Sequence, residues 1–159
     1  MDKCPICGNT GITTRKKDYR FIESGLDNVV LTGVEVVECN KCDEEFVSIP
    51  NAAQLMDFIA EQIILKPTRL TGKEIKFLRK NLLLNTREFA TLLGVDRVSL
   101  SRWENDKVKP TASNDRLIRL TYTACKKTVD STREKLIKRL RDISPATEAT
   151  ERYFVSVPF

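Results

Sequence analysis

The chain has 159 residues, of which 41% are hydrophobic and 31% are charged, a balance that is typical of a soluble globular protein. No stretch approaches the roughly 20 apolar residues of a membrane span, and the first residues have no basic-then-apolar leader, so we expect a cytoplasmic protein with no membrane contact. Histidine is absent from the sequence, which removes the commonest general acid or base and disfavours a hydrolase.

The charge differs between the two ends of the chain. Residues 1–66 contain 7 Lys and Arg against 11 Asp and Glu, a balance of −4, and residues 67–159 contain 20 against 11, a balance of +9, which together give the net +5. The acidic N-terminal region, residues 1–66, is predicted to be one domain. Residues 67–128, the helical region, are predicted to be a second, and residues 129–159 a C-terminal helix and tail. The basic part is the candidate for binding a polyanion.

Four of the five cysteines form two Cys-x-x-Cys pairs, Cys4 with Cys7 and Cys39 with Cys42. Two such pairs in one small segment are typical of a closed four-cysteine metal site, because the two-residue spacer lets both sulfurs of a pair face one ion at about 2.3 Å. We expect a structural zinc ion, since four thiolates leave no open position for water or substrate. The alternatives are iron in the same site, two disulfides, which a reducing compartment disfavours, or a redox-active pair.

The N-terminal region reads as strands followed by a helix. Residues 12–23 and 29–39 are rich in β-branched and aromatic side chains and are predicted to pair antiparallel. A short strand at 45–49 follows, and apolar residues at a spacing of three and four predict a helix from about residue 51. The run 66–68, Lys-Pro-Thr, breaks that helix and marks the predicted domain boundary.

The helical region carries clear helix start and stop signals. Thr71 with Glu74 starts the first helix. Asn85 starts the second helix and Gly94 ends it, and Asp96 starts the third. A fourth helix over about 112–127 and a fifth from about 130 to 143 are predicted to follow. Cys125 lies in the fourth, and we expect a buried or partly buried thiol. The predicted fold is therefore α+β, with a small β-rich Cys4 zinc domain carrying one helix and then an all-α five-helix domain.

Residues 86–105 have the pattern of a helix-turn-helix. Small Ala90 lies where two helices cross closely, Gly94 fills the turn and Leu100 points into the core. A plain helical hairpin would rarely place all three residues, although it is the alternative.

The third helix has a polar side that is free of acidic residues and suits the DNA major groove, where arginine can reach guanine and valine a thymine methyl. The opposite side, with Leu100 and Trp103, is predicted to face the core. Candidate base-contacting residues are Arg97, Val98, Ser101, Arg102 and Asn105. Candidate phosphate contacts are Arg87, Lys107 and Lys109. The alternative is an ordinary solvated face.

The two cysteine pairs, CPIC and CNKC, followed by LTGKEIKFLRKNLLLNTREFATLLGVDRVSLSRWENDKVKP, give the chain a family resemblance. It resembles the MqsA-type antitoxins of bacterial toxin–antitoxin pairs, which join a YgiT-type zinc-binding domain to a Cro/C1-type (XRE) helix-turn-helix, over about residues 1–125. The resemblance implies that the four cysteines are zinc ligands and that Arg102 is the recognition-helix arginine. It also implies a zinc domain that binds the toxin and a helical domain that dimerises and represses its own operon. The sequence departs from the pattern at Arg87, where the family commonly has Gln, and in the extension from about residue 130.

We therefore predict a cytoplasmic transcriptional repressor without catalytic residues, a homodimer on a palindromic operator in double-stranded DNA with half-sites roughly 34 Å apart. It would be the antitoxin of a pair, with its acidic N-terminal region neutralising a basic toxin. Two alternatives stay open: a free-standing zinc-containing regulator, and a thiol- or metal-sensing regulator that uses the four cysteines as its switch.

Overall fold

The computed structural model of the chain describes residues 3–47, 49, 51–126, 135 and 152–156. These residues form an α+β fold, as the sequence predicts. The strands are β1 (Ile12–Arg20), β2 (Val29–Cys39), β3 (Glu45–Val47) and β4 (Tyr153–Ser156), and the α-helices are α1 (Ala52–Leu65), α2 (Gly72–Asn81), α3 (Thr86–Leu93), α4 (Arg97–Glu104) and α5 (Ala112–Cys125). The helix predicted over about 130–143 lies, apart from Lys135, outside the described residues. Within the described ranges, no helix is long and apolar enough to cross a membrane.

The sheet brings the two cysteine pairs to one end of the molecule. β1 and β2 are antiparallel, with Ile12 opposite Cys39 and Arg20 opposite Val30. Because β1 begins just after the first cysteine pair and β2 ends at the second, this register places Cys7 close to Cys39. β3 pairs antiparallel with the same end of β2.

The first strand is shorter than the sequence predicts. Residues 12–23 read as one strand, but β1 ends at Arg20 and a single 3-10 turn occupies Ile22–Ser24. Gly25 ends that turn with φ 80°, a left-handed conformation that a glycine adopts at little cost, and the chain then returns along β2.

The C-terminal strand joins the sheet of the N-terminal region. β4 pairs in parallel with Val29–Thr32 of β2, on the edge opposite β1. Tyr153 and Val155 are buried, whereas Phe154 between them is 64% exposed. The hydroxyl of Tyr153 donates to Oε1 of Glu74 at 2.5 Å, so this strand also contacts α2. The tail is therefore a structural part of the sheet in its described residues.

Helices α2, α3 and α4 begin at the predicted caps. The side chain of Thr71 accepts a hydrogen bond from the amide of Glu74, and that of Asn85 accepts one from Glu88; in both cases the glutamate completes a capping box. Asp96 accepts a hydrogen bond from an amide in the first turn of α4. These side chains satisfy amides that would otherwise have no partner within the helix.

The same three helices end in Schellman motifs. In each, the amide of a left-handed residue bonds to a carbonyl in the last turn, and the next amide bonds to a carbonyl five residues earlier. The left-handed residues are Leu83 (φ 59°), Gly94 (φ 64°) and Asp106 (φ 53°). Leu83 is 92% exposed, so packing of its side chain does little to offset the strained backbone.

A buried arginine holds the segment between the N-terminal and helical regions. Arg119 of α5 is fully buried, and its Nε donates to the carboxylate of Asp115 at 2.8 Å. Its other nitrogens donate to the carbonyl oxygens of Ile64, Lys66 and Thr68 at 2.9, 2.8 and 2.6 Å. The hydrophobic core is continuous from the sheet and α1 into the helical region. The predicted boundary at 66–68 thus lies in a segment whose main chain is fixed.

Replacing Leu83 by glycine is expected to raise the free energy of unfolding by about 1 kcal/mol. The left-handed conformation costs an L-residue about 1–2 kcal/mol, and the greater freedom of an unfolded glycine offsets part of the gain. Urea denaturation of the full chain measures the change. The reciprocal change in the matching motif, Gly94→Leu, should lower the stability, and a Leu83→Gly protein no more stable than the parent would contradict the prediction.

Val155→Asp is expected to lower the free energy of unfolding by about 2–4 kcal/mol, because it places a charged group in the core beneath β4. The adjacent side chain of Phe154 is exposed, so the change Phe154→Asp should alter the free energy of unfolding by no more than about 0.5 kcal/mol. Thermal denaturation, with amide hydrogen exchange at Val29–Thr32, checks both variants. Equal effects of the two substitutions would mean that β4 does not hold this position.

Candidate functional site

The four paired cysteines form one cluster, in which all four sulfur atoms lie within 4.8 Å of one another. Sγ of Cys4 is 3.7 Å from that of Cys42, and Sγ of Cys7 is 3.5 Å from that of Cys39. A tetrahedral site with bonds of about 2.3 Å has sulfur–sulfur edges of about 3.8 Å, so the cluster has the size of a four-thiolate metal site. A disulfide holds its sulfurs at about 2.05 Å, which none of these pairs approaches.

Turns of the same geometry hold the two cysteine pairs. The amide of Gly8 donates to the carbonyl of Cys4 at 2.9 Å, and the amide of Asp43 donates to the carbonyl of Cys39 at 3.0 Å. Gly8 and Asp43 are both left-handed, with φ 69° and 55°. The residue that follows each pair therefore closes a tight turn around it, and both pairs present their sulfurs to a common centre.

Backbone amides also prepare the cluster for a cation. The amides of Lys41 and Cys42 donate hydrogen bonds to the sulfur of Cys39 and lower the pKa of this thiol to about 6. Cys39 is therefore the thiol of the cluster that ionises most readily, and the thiolate is the form that binds metal. Without a metal ion the negative charge stays on this sulfur: at Cys42 a backbone hydrogen bond from Glu44 is outweighed by burial and the neighbouring sulfurs, which raise the pKa of Cys42 to about 12. On the facing turn, the amide of Cys4 donates to the carbonyl of Asn9 at 2.9 Å and fixes that loop. The cluster can bind one metal ion through four sulfurs.

Cys125 is not part of this cluster. It is the last residue of α5 and is exposed, so the expectation of a buried or partly buried thiol is wrong. The helical pattern placed Cys125 in a helix correctly, and the residue lies on the same side of α5 as the buried Ile118 and Tyr122. It is exposed because it is the last residue of the helix, beyond the part that packs on the core.

The helix-turn-helix pattern corresponds to α3 and α4. Gly94 connects them in a left-handed conformation, and Ala90, Leu100 and Trp103 are buried as the pattern predicts. The other side of α4 is open to solvent, where Val98 is 58% exposed. The two sides of α4 thus divide as the helical spacing indicates.

Six of the eight predicted DNA-contacting residues line one shallow depression. We call this set the recognition surface; it consists of Arg97, Val98, Ser101, Arg102, Asn105 and Lys107. It carries three positive charges and contains no carboxylate. The side-chain amide of Asn105 donates to the carbonyl of Ser101 at 2.7 Å, so its orientation is set within the helix.

The other two predicted residues do not line this depression. Arg87 is exposed in the first turn of α3. Lys109 forms an ion pair with Asp106 at 2.9 Å in the loop after α4. Their roles as phosphate contacts stay predictions.

An ion pair that the sequence analysis missed positions α4. Nε and Nη2 of Arg79 lie 2.6 and 3.0 Å from the two carboxylate oxygens of Glu104, and both residues are buried. Nη1 of Arg79 also donates to the carbonyl of Leu84 at 2.9 Å, so one guanidinium joins α2, α4 and the turn before α3. The signal in the sequence is a charged residue on the apolar side of each helix, four positions after Ile75 and Leu100.

Comparison with known proteins identifies one family. The sequence profile described as the antitoxin component of bacterial toxin–antitoxin system, MqsA, matches residues 2–126, which is 125 of the 159 residues. A search of curated proteins found no match. The profile spans both the cysteine cluster and the recognition surface, and ends at Lys126, the residue that follows α5.

Removal of one clustered thiol tests the cysteine cluster. Cys39→Ser is expected to weaken metal binding by more than about 100-fold, because changes beyond the ligands alone cost 10–100-fold. Metal content of the purified chain, measured by elemental analysis, should fall accordingly. Cys125→Ser, the matched control outside the cluster, should keep one ion per chain. Full metal content in the Cys39→Ser protein would contradict the assignment.

Proposed function

Because the chain belongs to the MqsA family of antitoxin components of bacterial toxin–antitoxin systems, we propose that it is a sequence-specific DNA-binding repressor that also binds a toxin. The family is a regulatory one, so no catalytic activity is proposed. Its site of action would be the cytoplasm, where the operator DNA is found.

The recognition surface is the observation that carries the DNA-binding part of this proposal. Arg97 and Arg102 are exposed on a helix whose other side is buried, and Lys107 is exposed in the loop after it. No acidic side chain shares the depression that the three residues line. An α-helix of this kind fits the major groove of B-form DNA. Arg102 would read a guanine and Val98 a thymine methyl, while Lys107, Arg87 and Lys109 would contact phosphates.

We propose a homodimer on a palindromic operator, because two copies of one recognition helix read two half-sites related by a two-fold axis. α5 supports this proposal, since Leu117 and Leu120 are 37% and 45% exposed on its outer side. Apolar side chains on the outside of a helix are suited to an interface between copies. The fifth predicted helix, the other candidate for the interface, lies outside the described residues apart from Lys135.

The metal proposed for the cluster is zinc in a structural role. Four thiolates in a tetrahedral set are the ligands of structural zinc sites, and they leave no position for a water molecule or a substrate. Cys4, Cys7, Cys39 and Cys42 would hold the ion, and its binding energy would stabilise the two turns at the end of the sheet. Elemental analysis of the purified chain distinguishes zinc from iron.

The toxin-binding part of the proposal rests on the family and on charge. The N-terminal region has a balance of −4, which complements a basic toxin. Co-expression of the tagged chain with the product of the adjacent gene tests this. A stable complex at micromolar concentration supports an antitoxin, and failure to form one would leave a free-standing regulator.

Arg102→Ala is expected to weaken binding to the operator by about 1–3 kcal/mol and to relax preference at one base pair, because a bidentate contact to guanine is lost. Fluorescence anisotropy with operator duplexes substituted at single positions measures both effects.

Lys107→Ala is the matched control for that measurement. As a phosphate contact, Lys107 should affect all sequences about equally when it is removed. An equal loss on operator and random DNA for Arg102→Ala would contradict a base-reading role.

A further inference from the structure

Three lysines lie in a row on the exposed side of α2. They are Lys73, Lys76 and Lys80, at spacings of three and four residues, so they form one stripe along the helix. The opposite side of α2 is anchored in the core by Ile75 and Leu78, which are fully buried. The position of the stripe on the molecule is therefore fixed by packing.

The stripe forms the floor of a cleft that adjoins the recognition surface. One wall of this cleft, which we call the lysine cleft, is formed by Ser24 and Gly25 of the N-terminal region, and the other wall is formed by Glu104, Asn105 and Asp106. Asn105 also lines the recognition surface, so the two depressions meet at this residue.

The start of α2 and the end of α4 are in close contact. A Cβ atom at Gly72 would lie 2.5 Å from the carbonyl oxygen of Trp103, so only glycine fits there. The amide of Gly72 also donates to Oδ1 of Asp106 at 2.9 Å. This contact sets the distance between the lysine stripe and the recognition helix.

The acidic groups near the stripe already have partners. Glu104 is paired with Arg79, Asp106 with Lys109, and Asp27 with Lys73. Among the residues that the structure describes, no ion pair or hydrogen bond is found for the ammonium groups of Lys76 and Lys80. Two uncompensated positive charges therefore face a cleft that continues from the recognition surface.

We infer that Lys76 and Lys80 form a second DNA contact, which binds the phosphate backbone beside the bases that α4 reads. The inference rests on the proposed DNA-binding function. A lysine presents a compact charge at the end of a flexible stem, and such a side chain binds phosphates without reading the sequence. Because the cleft is continuous with the recognition surface at Asn105, a duplex held against α4 would bring its backbone to this stripe.

The salt dependence of DNA binding tests this contact in the full-length protein. Each phosphate contact that is removed should reduce the slope of log K against log salt by about 0.9, so the double variant Lys76→Ala, Lys80→Ala should lose about 1.8. Its affinity near 0.15 M salt should fall on the order of tenfold, equally for operator and random duplexes. An arginine pair at the same positions should restore the slope.

Matched controls separate this inference from the proposed function. Lys16→Ala removes an exposed lysine on β1, away from α4, and should leave the slope unchanged. An unchanged slope in the Lys76 and Lys80 double variant, with Arg102→Ala still altering base preference, would overturn this inference alone. If neither the double variant nor Arg102→Ala changes DNA binding, the proposed function is overturned. If the double variant binds DNA normally but binds the co-expressed toxin more weakly, the stripe contacts an acidic surface of that protein instead of DNA.

Discussion

The buried guanidinium of Arg119 is the contact on which the arrangement of the chain depends. A cation away from water is stable only when it is paired and its N–H groups are bonded, and here a carboxylate and three carbonyl oxygens meet that requirement. The carbonyl of Ile64 belongs to the last turn of α1, and those of Lys66 and Thr68 belong to the segment between α1 and α2. Asp115 also accepts a hydrogen bond from the amide of Leu70 at 2.7 Å, so both members of the pair hold this segment. The N-terminal and helical regions consequently have one defined relative position.

Glu74 extends this network to the end of the chain. Its carboxylate caps α2, accepts the hydroxyl of Tyr153 and lies 2.6 Å from Nζ of Lys66. One side chain therefore contacts the first helix of the helical region, the segment before it and the C-terminal strand.

The two candidate binding sites have opposite charge and lie at a distance from each other along the sheet. Four thiolates around one divalent ion would add a charge of about −2 to an already acidic region. β2 runs from Val29, beside β4, to Cys39 in the cluster, which at about 3.3 Å per residue separates its ends by about 30 Å. Since β4 contacts α2 at the far end of the strand, the sheet keeps the anionic cluster away from the helix that carries the lysine stripe.

The sequence by itself determined the features that depend on short-range rules. Caps at Thr71, Asn85 and Asp96, the turn at Gly94 and the buried side of α4 follow from local hydrogen bonding and helical spacing, and the structure has them as predicted. The two Cys-x-x-Cys pairs likewise identified the cluster, because metal ligands impose a fixed local spacing.

Only the tertiary structure decided the features that depend on distant partners. Three contacts join parts of the chain that are far apart in sequence. β4 pairs with β2, Arg119 bonds to carbonyls before α2, and the lysine stripe shares a cleft with Asn105. Arg119 has its carboxylate partner Asp115 four residues earlier in the same helix, but the three carbonyl oxygens that accept from its other nitrogens are distant in sequence. The local pattern therefore does not show whether this arginine is buried or in solvent. The free energy that separates the two cases comes from partners that the local sequence does not contain.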